Sequence, residues 1–174
     1  TMAPTFDGGD ITAAIATSGN ALLVSGEFTT VDGELRGRMA GIHVSGSLVG
    51  PPFSSGNPQL NAPALAMAET PSGDVLVAGA FTSAFGRSVG YFVRMDGQLR
   101  DIDPSFPTQA NNIIRAIAIQ PDQSFLIGGD FSQVNGATRR GIARLTVDGE
   151  LDPSFNLSLP AGSVVTSIVV QRDG

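Results

Sequence analysis

Short apolar runs, broken by polar stretches rich in glycine and proline, set the rhythm of this 174-residue chain. Its clearest stretch begins with Ile113 to Ile119, apolar and rich in β-branched residues. Phe125 to Ile127 is a second apolar run, and Gly141 to Thr146 alternates apolar with small or polar side chains. Between them stand Gln120-Pro121-Asp122-Gln123, with proline where a turn favours it, and the hairpin signal Asn135-Gly136. Val147-Asp148-Gly149 turns the chain again, and Leu151 to Phe155 supplies a short outer segment. Short apolar runs about 8–12 residues apart with turn signals between them predict an all-β chain. No window carries the i, i+3, i+4 pattern of a capped helix.

The same pattern recurs. Leu22-Leu23-Val24-Ser25-Gly26-Glu27-Phe28, Val75-Leu76-Val77-Ala78-Gly79-Ala80-Phe81 and Phe125-Leu126-Ile127-Gly128-Gly129-Asp130-Phe131 superpose at a period of roughly 50 residues, the length of a propeller blade. A second anchor precedes each as Pro4-Thr5-Phe6, Pro52-Phe53 and Asp103-Pro104-Ser105-Phe106, and returns as Asp152-Pro153-Ser154-Phe155. Turns at Asp32-Gly33, Phe85-Gly86 and Asn135-Gly136 form a third anchor, and Ser45-Gly46, Asp96-Gly97 and Asp148-Gly149 close the units. The repeat units are therefore 1–47, 48–98, 99–150 and a truncated 151–174 within one domain.

Each recurring residue type has a physical reason. Gly26, Gly79 and Gly129 weaken the strands they sit in, which is tolerated where backbone passes closely or a strand bulges. Phe28, Phe81 and Phe131 are placed to fill the space between blades, each ring contributing about 2–3 kcal/mol by burial. Small side chains at Ala13, Ala14, Ala16, Ala64, Ala66, Ala68, Ala116 and Ala118 suit a crowded innermost strand near a propeller axis.

Composition narrows the field. With 41% hydrophobic and 15% charged residues the chain is too apolar for a disordered tail, and 22 glycines with 11 prolines fit many tight turns. There is no cysteine, which removes disulfides and thiolate metal sites. A net charge of −6, with scattered arginines as the only basic residues, argues against nucleic acid as a partner. No apolar stretch approaches the ~20 residues of a membrane-spanning helix, and Thr1 to Asp10 shows no signal-peptide pattern.

Candidate chemistry is sparse. His43 is the only histidine, and with no cysteine beside it a zinc site is not expected. Asp32, Asp96, Asp122, Asp148 and Asp173 sit in or near glycine turns, where aspartate bonds its own backbone; calcium, which takes carboxylate and carbonyl oxygens, is the alternative. Asp101-Ile102-Asp103 is the nearest approach to a calcium loop. No Gly-x-Ser-x-Gly elbow and no phosphate loop occur, and no carboxylate pair stands out. Tyr91 is the lone tyrosine and tryptophan is absent, so no sugar-stacking platform is visible. Arg36, Arg139 and Arg140 follow the hairpin turn and Arg94 and Arg144 lie in the next strand, which suggests pairing with acids such as Glu27 and Asp130. No catalytic, cofactor-binding or metal-binding residue is therefore assigned.

In their order these anchors resemble the delta-sixty repeat family, a bacterial β-propeller repeat with no assigned activity. The third unit carries the resemblance almost throughout, at Asp103 to Phe106, Gln120 to Asp122, Gly128 to Phe131, Asn135-Gly136, Arg139, Ile142-Ala143-Arg144-Leu145 and Asp148-Gly149. The fourth matches at Asp152 to Phe155 and Gln171-Arg172-Asp173-Gly174. The first two units are looser, with Gly41 where Arg94 and Arg144 recur and Ala80 where Asp130 stands. The resemblance implies a propeller fold and says almost nothing about function.

The expected fold is thus all-β, about three and a half propeller-like blades, with a ring that this chain alone does not close, since rings need about 4–8 blades. Two readings of the missing part stand open. Either further blades belong to a longer parent protein, or copies associate, with a strand at Val164 to Val170 completing a blade between them. The expected role is a non-enzymatic scaffold of a bacterial secreted or surface protein. It would bind a protein or glycan through the variable loops Asn57 to Pro63, Phe106 to Asn112 and Asn156 to Ser163. The alternatives are a structural subunit of an extracellular assembly, and a hydrolase or lyase with an axial site.

Overall fold

The computed structural model describes residues 4–49, 59–99, 101–107, 109–157 and 159–171. Three antiparallel sheets of one design carry the fold. In the first, β2 (Ile11–Ala16), β3 (Ala21–Gly26) and β6 (Met39–His43) are ordered β2-β3-β6. The second holds β7 (Ala64–Glu69), β8 (Val75–Gly79) and β11 (Phe92–Met95), and the third β12 (Ile114–Ile119), β13 (Phe125–Gly129) and β16 (Ile142–Leu145). Single-residue bridges from Leu48, Ile102 and Leu151 to Ile42, Met95 and Leu145 stand where a fourth strand would run. The described chain is all-β, and its three propeller-like blades leave the ring open.

Turn chemistry places these strands. Thr17, Thr70 and Gln120 each accept the N–H three residues on and donate to the carbonyl four residues on. The last turn residue is left-handed in each, at Asn20, Gly73 and Gln123. After the second strand comes a small hairpin: β4 (Thr30–Val31) with β5 (Glu34–Leu35), β9 (Ser83–Ala84) with β10 (Arg87–Ser88), and β14 (Gln133–Val134) with β15 (Ala137–Thr138). Its two-residue turn has positive φ at both positions, 50° and 77° at Asn135-Gly136, the geometry that favours Asn-Gly and Asp-Gly.

Gly26, Gly79 and Gly129 are explained inside each blade. The first strand bulges at Thr12, Leu65 and Arg115, so the register skips one residue opposite the second strand. There the glycine comes so close that a Cβ would lie 2.1 Å from the carbonyl oxygen of Asp10, 2.4 Å from that of Pro63 and 2.1 Å from that of Ile113. The close approach is to the blade's own first strand, not to the neighbouring blade.

The sheets stack face to face. Leu23 and Met39 of the first pack against Val75, Val77, Phe81, Val93 and Met95 of the second. Leu76, Ala78 and Phe92 of the second pack against Phe125, Ile127, Phe131, Ala143 and Leu145 of the third. Phe81 and Phe131 thus fill the spaces between blades, as their recurrence predicts, and Phe28 caps a smaller cluster with Phe6, 5.1 Å between ring centroids. Because the middle sheet is covered on both faces, β8 is buried at every position and reads as a continuous apolar run. The first strands lie side by side, β7 flanked by β2 and β12, and their alanines permit that spacing.

Three expectations change. Phe6 is not the counterpart of Phe106: it lies in β1 (Phe6–Asp7), paired with Val31 of β4, the place that Leu60 and Ala110 take opposite Ala84 and Val134. Phe53 lies outside the described residues. The turn that closes the second blade has its left-handed residue at Leu99, φ 56°, matching Gly46 and Gly149, whereas Gly97 is small because it abuts Gly73. Residues 164–170 belong to no sheet, although they lie against the third one.

Candidate functional site

The polar side chains that recur converge on the joins between repeats. On β11, Arg94 lies nine residues before Asp103, whose backbone N–H returns 2.8 Å to the Arg94 carbonyl. The Arg94 guanidinium donates to Asp103 Oδ2 and to the Val147 carbonyl, and sits 4.7 Å over the ring of Phe106. Phe106 stacks in turn on Phe92 and Phe125, with centroids 5.5 Å and 6.2 Å away. Asp103 Oδ1 accepts the Ser105 N–H at 2.9 Å and its hydroxyl at 2.6 Å. That hydroxyl first, and then Arg94, holds the Asp103 carboxyl down at about 2, against some resistance from burial.

The next join repeats the arrangement. Arg144 on β16 donates from Nε to Asp152 Oδ2 at 2.7 Å and from Nη2 to Ser154 Oγ at 2.9 Å, and lies 5.2 Å over Phe155. Ser154 donates its N–H and hydroxyl to Asp152 Oδ1, and the Asp152 carboxyl is lowered by that hydroxyl above all. The Asp-Pro-Ser-Phe anchor is therefore an arginine clamp. In the first unit the arginine is Gly41, and Val49, whose N–H bonds the Gly41 carbonyl, takes the aspartate's place. Both partners of the clamp are missing together.

This corrects the expected partners. Glu27 meets Arg38 at 3.5 Å, and Asp130 meets Arg115, the bulged residue of β12, through two bonds of 2.6 and 2.8 Å. Each of that pair favours the charged form of the other, so the Asp130 carboxyl is lowered and the Arg115 guanidinium raised. Arg36 is buried and pairs with Glu34 at 2.8 Å. Arg139 and Arg140 enter no ion pair with a described residue.

Of the aspartates placed in glycine turns, Asp122 bonds within its own turn, whereas Asp32 reaches across to Thr5. Asp32 Oδ1 accepts the Thr5 N–H at 2.8 Å, Asp101 Oδ1 that of Ile102 at 2.8 Å, and Asp122 Oδ1 both the N–H and hydroxyl of Ser124. Ser124 holds the Asp122 carboxyl below its ordinary value. Among the described residues no three of His, Cys, Asp and Glu gather as metal ligands would, and Asp173 lies outside them. His43 ends β6 with an exposed side chain.

Two residues that the sequence reading passed over prove central. Asn61 Oδ1 accepts the N–H groups of Thr82 and Ser83, and its amide donates to Thr82 Oγ1. Asn111 does the same to Ser132 and Gln133. Their signal is an asparagine three residues ahead of Ala64 and Ile114, within segments read as variable loops. The described residues 59–63 and 109–112 are built into the blades, since Gln59, Leu60 and Ala110 are buried as well. Within 156–163, by contrast, Leu157 is 50% exposed. An open cleft of about 140 Å³ between Arg87, Gly90, Phe92, Asp103, Phe106 and Gln109 borders the clamp at Asp103 and, among the described residues, holds no nucleophile paired with a base.

The family model described as "Domain of unknown function (DUF5122) beta-propeller" matches residues 120–155. That short stretch runs from the turn before β13 through the Arg144–Asp152 clamp to Phe155, and supports a β-propeller repeat family. No curated protein matches the chain.

Proposed function

We propose that the chain is a non-enzymatic interaction scaffold of the delta-sixty repeat type, part of a bacterial secreted or surface protein, that presents a rigid blade stack to a protein or glycan. One observation carries this reading: the recurring charged side chains Arg94, Asp103, Arg144 and Asp152 are spent joining one repeat to the next. An active site holds its titratable groups toward a cleft, with values tuned toward the working pH. Here both clamp carboxyls are held below the ordinary value, Asp103 at about 2, by the serine and arginine that bind them. With residues 59–63 and 109–112 tied to the blades through Asn61 and Asn111, recognition concentrates on the exposed stretch around Asn156 and Leu157.

The test is turnover. The chain is incubated with chromogenic glycosides and esters and with acidic polysaccharides, followed by release of dye or by absorbance of an unsaturated product. No saturable turnover is expected. A saturable rate abolished by a single carboxylate substitution would replace the scaffold by the hydrolase or lyase alternative.

A further inference from the structure

One position of the repeat is an arginine in two units and a valine between them. Arg36, Val89 and Arg139 are counterparts, since their N–H groups donate to the carbonyls of Thr29, Thr82 and Ser132 at 2.8, 3.0 and 3.0 Å. The two arginines are folded alike. Each donates from Nη1 to the carbonyl of the residue before it, Leu35 at 3.0 Å and Thr138 at 2.8 Å. In each the Nε is buried without a hydrogen-bond partner, and Arg36 as a whole is 2% exposed. Val89 is too short to reach so far, and the open cleft of about 140 Å³ lies beside it. Ser88, which bears the carbonyl matching those of Leu35 and Thr138, lines that cleft with Phe92, Asp103 and Phe106. Complete three-stranded sheets stand on both sides, so the opening belongs to the join of the second and third blades. Its size is that of a side chain, since sites for drug-sized ligands begin at about 300 Å³.

We infer that this cleft receives the guanidinium of an arginine from a partner protein, at the place where the chain's own arginine lies in the first and third units. The chemistry suits that group above others. A guanidinium is planar and weakly hydrated, stacks on aromatic walls, and offers a fork of donors to carboxylate and carbonyl oxygens. Phe92 and Phe106 supply the wall, and Ser88 and Asp103 the oxygens. A carboxylate has about four acceptor sites, of which Ser105 takes two on Asp103 and Arg94 one, so Oδ2 keeps room for a further donor. Arg87 also lines the cleft, but its charge is met by Asp101 Oδ2 at 3.2 Å and its Nη1 by the Ile102 carbonyl at 3.2 Å. Arginine is moreover a common anchor of protein interfaces, where a single side chain seated in a pocket carries much of the affinity. The inference rests on the scaffold reading, in that the arginine belongs to a partner; turnover tests that reading, and occupancy of the cleft tests this one.

The test uses N-acetyl-arginine amide as the smallest piece of such a partner, beside N-acetyl-citrulline amide, which has nearly the same shape and no charge. Each is titrated into the isotope-labelled chain while the backbone amide shifts are followed. The expected result is saturable shift changes centred on Ser88 to Gly90 and Gln109, with binding about fivefold or more weaker for the citrulline amide. The same shifts are expected to vanish in Val89→Arg, whose own side chain takes the place as Arg36 and Arg139 do, and whose fold is read from the rest of its amide spectrum. The comparison with citrulline needs only the unaltered chain, so it decides the matter even where that variant does not fold. No saturable shift with the arginine amide, equal binding of the citrulline amide, or shifts that persist in folded Val89→Arg would each overturn the inference.

Discussion

Replacing Gly129 with alanine puts the repeat's geometry to a quantitative test. The added Cβ would lie 2.1 Å from the Ile113 carbonyl oxygen and 2.9 Å from the Ile114 Cα. Carbon and oxygen normally stop near ~3.3 Å, so about 1.2 Å must be found. Both neighbours are backbone and cannot rotate away. Moving the Ile113 carbonyl also loosens its 2.9 Å bond from the Asp130 N–H, about 1 kcal/mol, and displaces the fully buried Ile114, an overpacking cost of about 1–3 kcal/mol. A loss near 3 kcal/mol is expected. The adjacent Gly128→Ala is the milder comparison, because its Cβ would meet side chains rather than backbone, Val165 Cγ1 at 2.5 Å and Val165 Cβ and Ile168 Cδ1 at 3.0 Å, and Ala78 already fills the equivalent position in the second blade. That change should cost about 1 kcal/mol or less. Urea unfolding followed by far-ultraviolet circular dichroism reads both, compared through midpoints while the slope stays constant. If Gly129→Ala proves as mild as Gly128→Ala, the bulge account of the three strand glycines is wrong.

Other consequences are open to measurement. Giving the third unit the first unit's residues, Arg144→Gly with Asp152→Val, should show favourable coupling in a double-mutant cycle; additive single changes would deny the clamp. Asp103 is lowered from 3.8 to about 2, so its contribution to stability is complete above pH ~4 and fades as the pH falls through about 2. Ser105→Ala should move the Asp103 carboxyl resonance titration upward in carbon NMR, and an unmoved midpoint would remove the serine's role. Asn111→Ala takes away three hydrogen bonds and should cost about 1–3 kcal/mol, with faster hydrogen exchange at the Ser132 and Gln133 amides; unchanged exchange there would refute the asparagine clamp.

Legibility follows the range of the interaction. Two-residue turns such as Asn135-Gly136 need only neighbours along the chain, so the period, the three main strands of the blade and the hairpin turn were visible in the residues, whereas the two short strands β14 and β15 flanking that turn were not. The special status of the glycine in Gly-x-Phe was visible too, with a close approach or a bulge as its reason, but not that the bulge lies in the first strand opposite it, because a bulge belongs to two strands in register. Arginine partners were misassigned for a similar reason. Asp130 sits beside β12 rather than β16, so it takes Arg115 and leaves Arg144 for Asp152.

By itself the sequence determined an all-β repeat of propeller type, its period and its turns, since φ preferences and alternating apolar residues act locally. Only the tertiary structure decided that Phe6 pairs in a small sheet while Phe106 lies under an arginine, and that the loops before β7 and β12 are pinned by asparagine. It also decided that residues 164–170 dock without being a strand. A β-strand is a relation between two backbones, and a segment with every mark of one acquires the state only when its partner is in place.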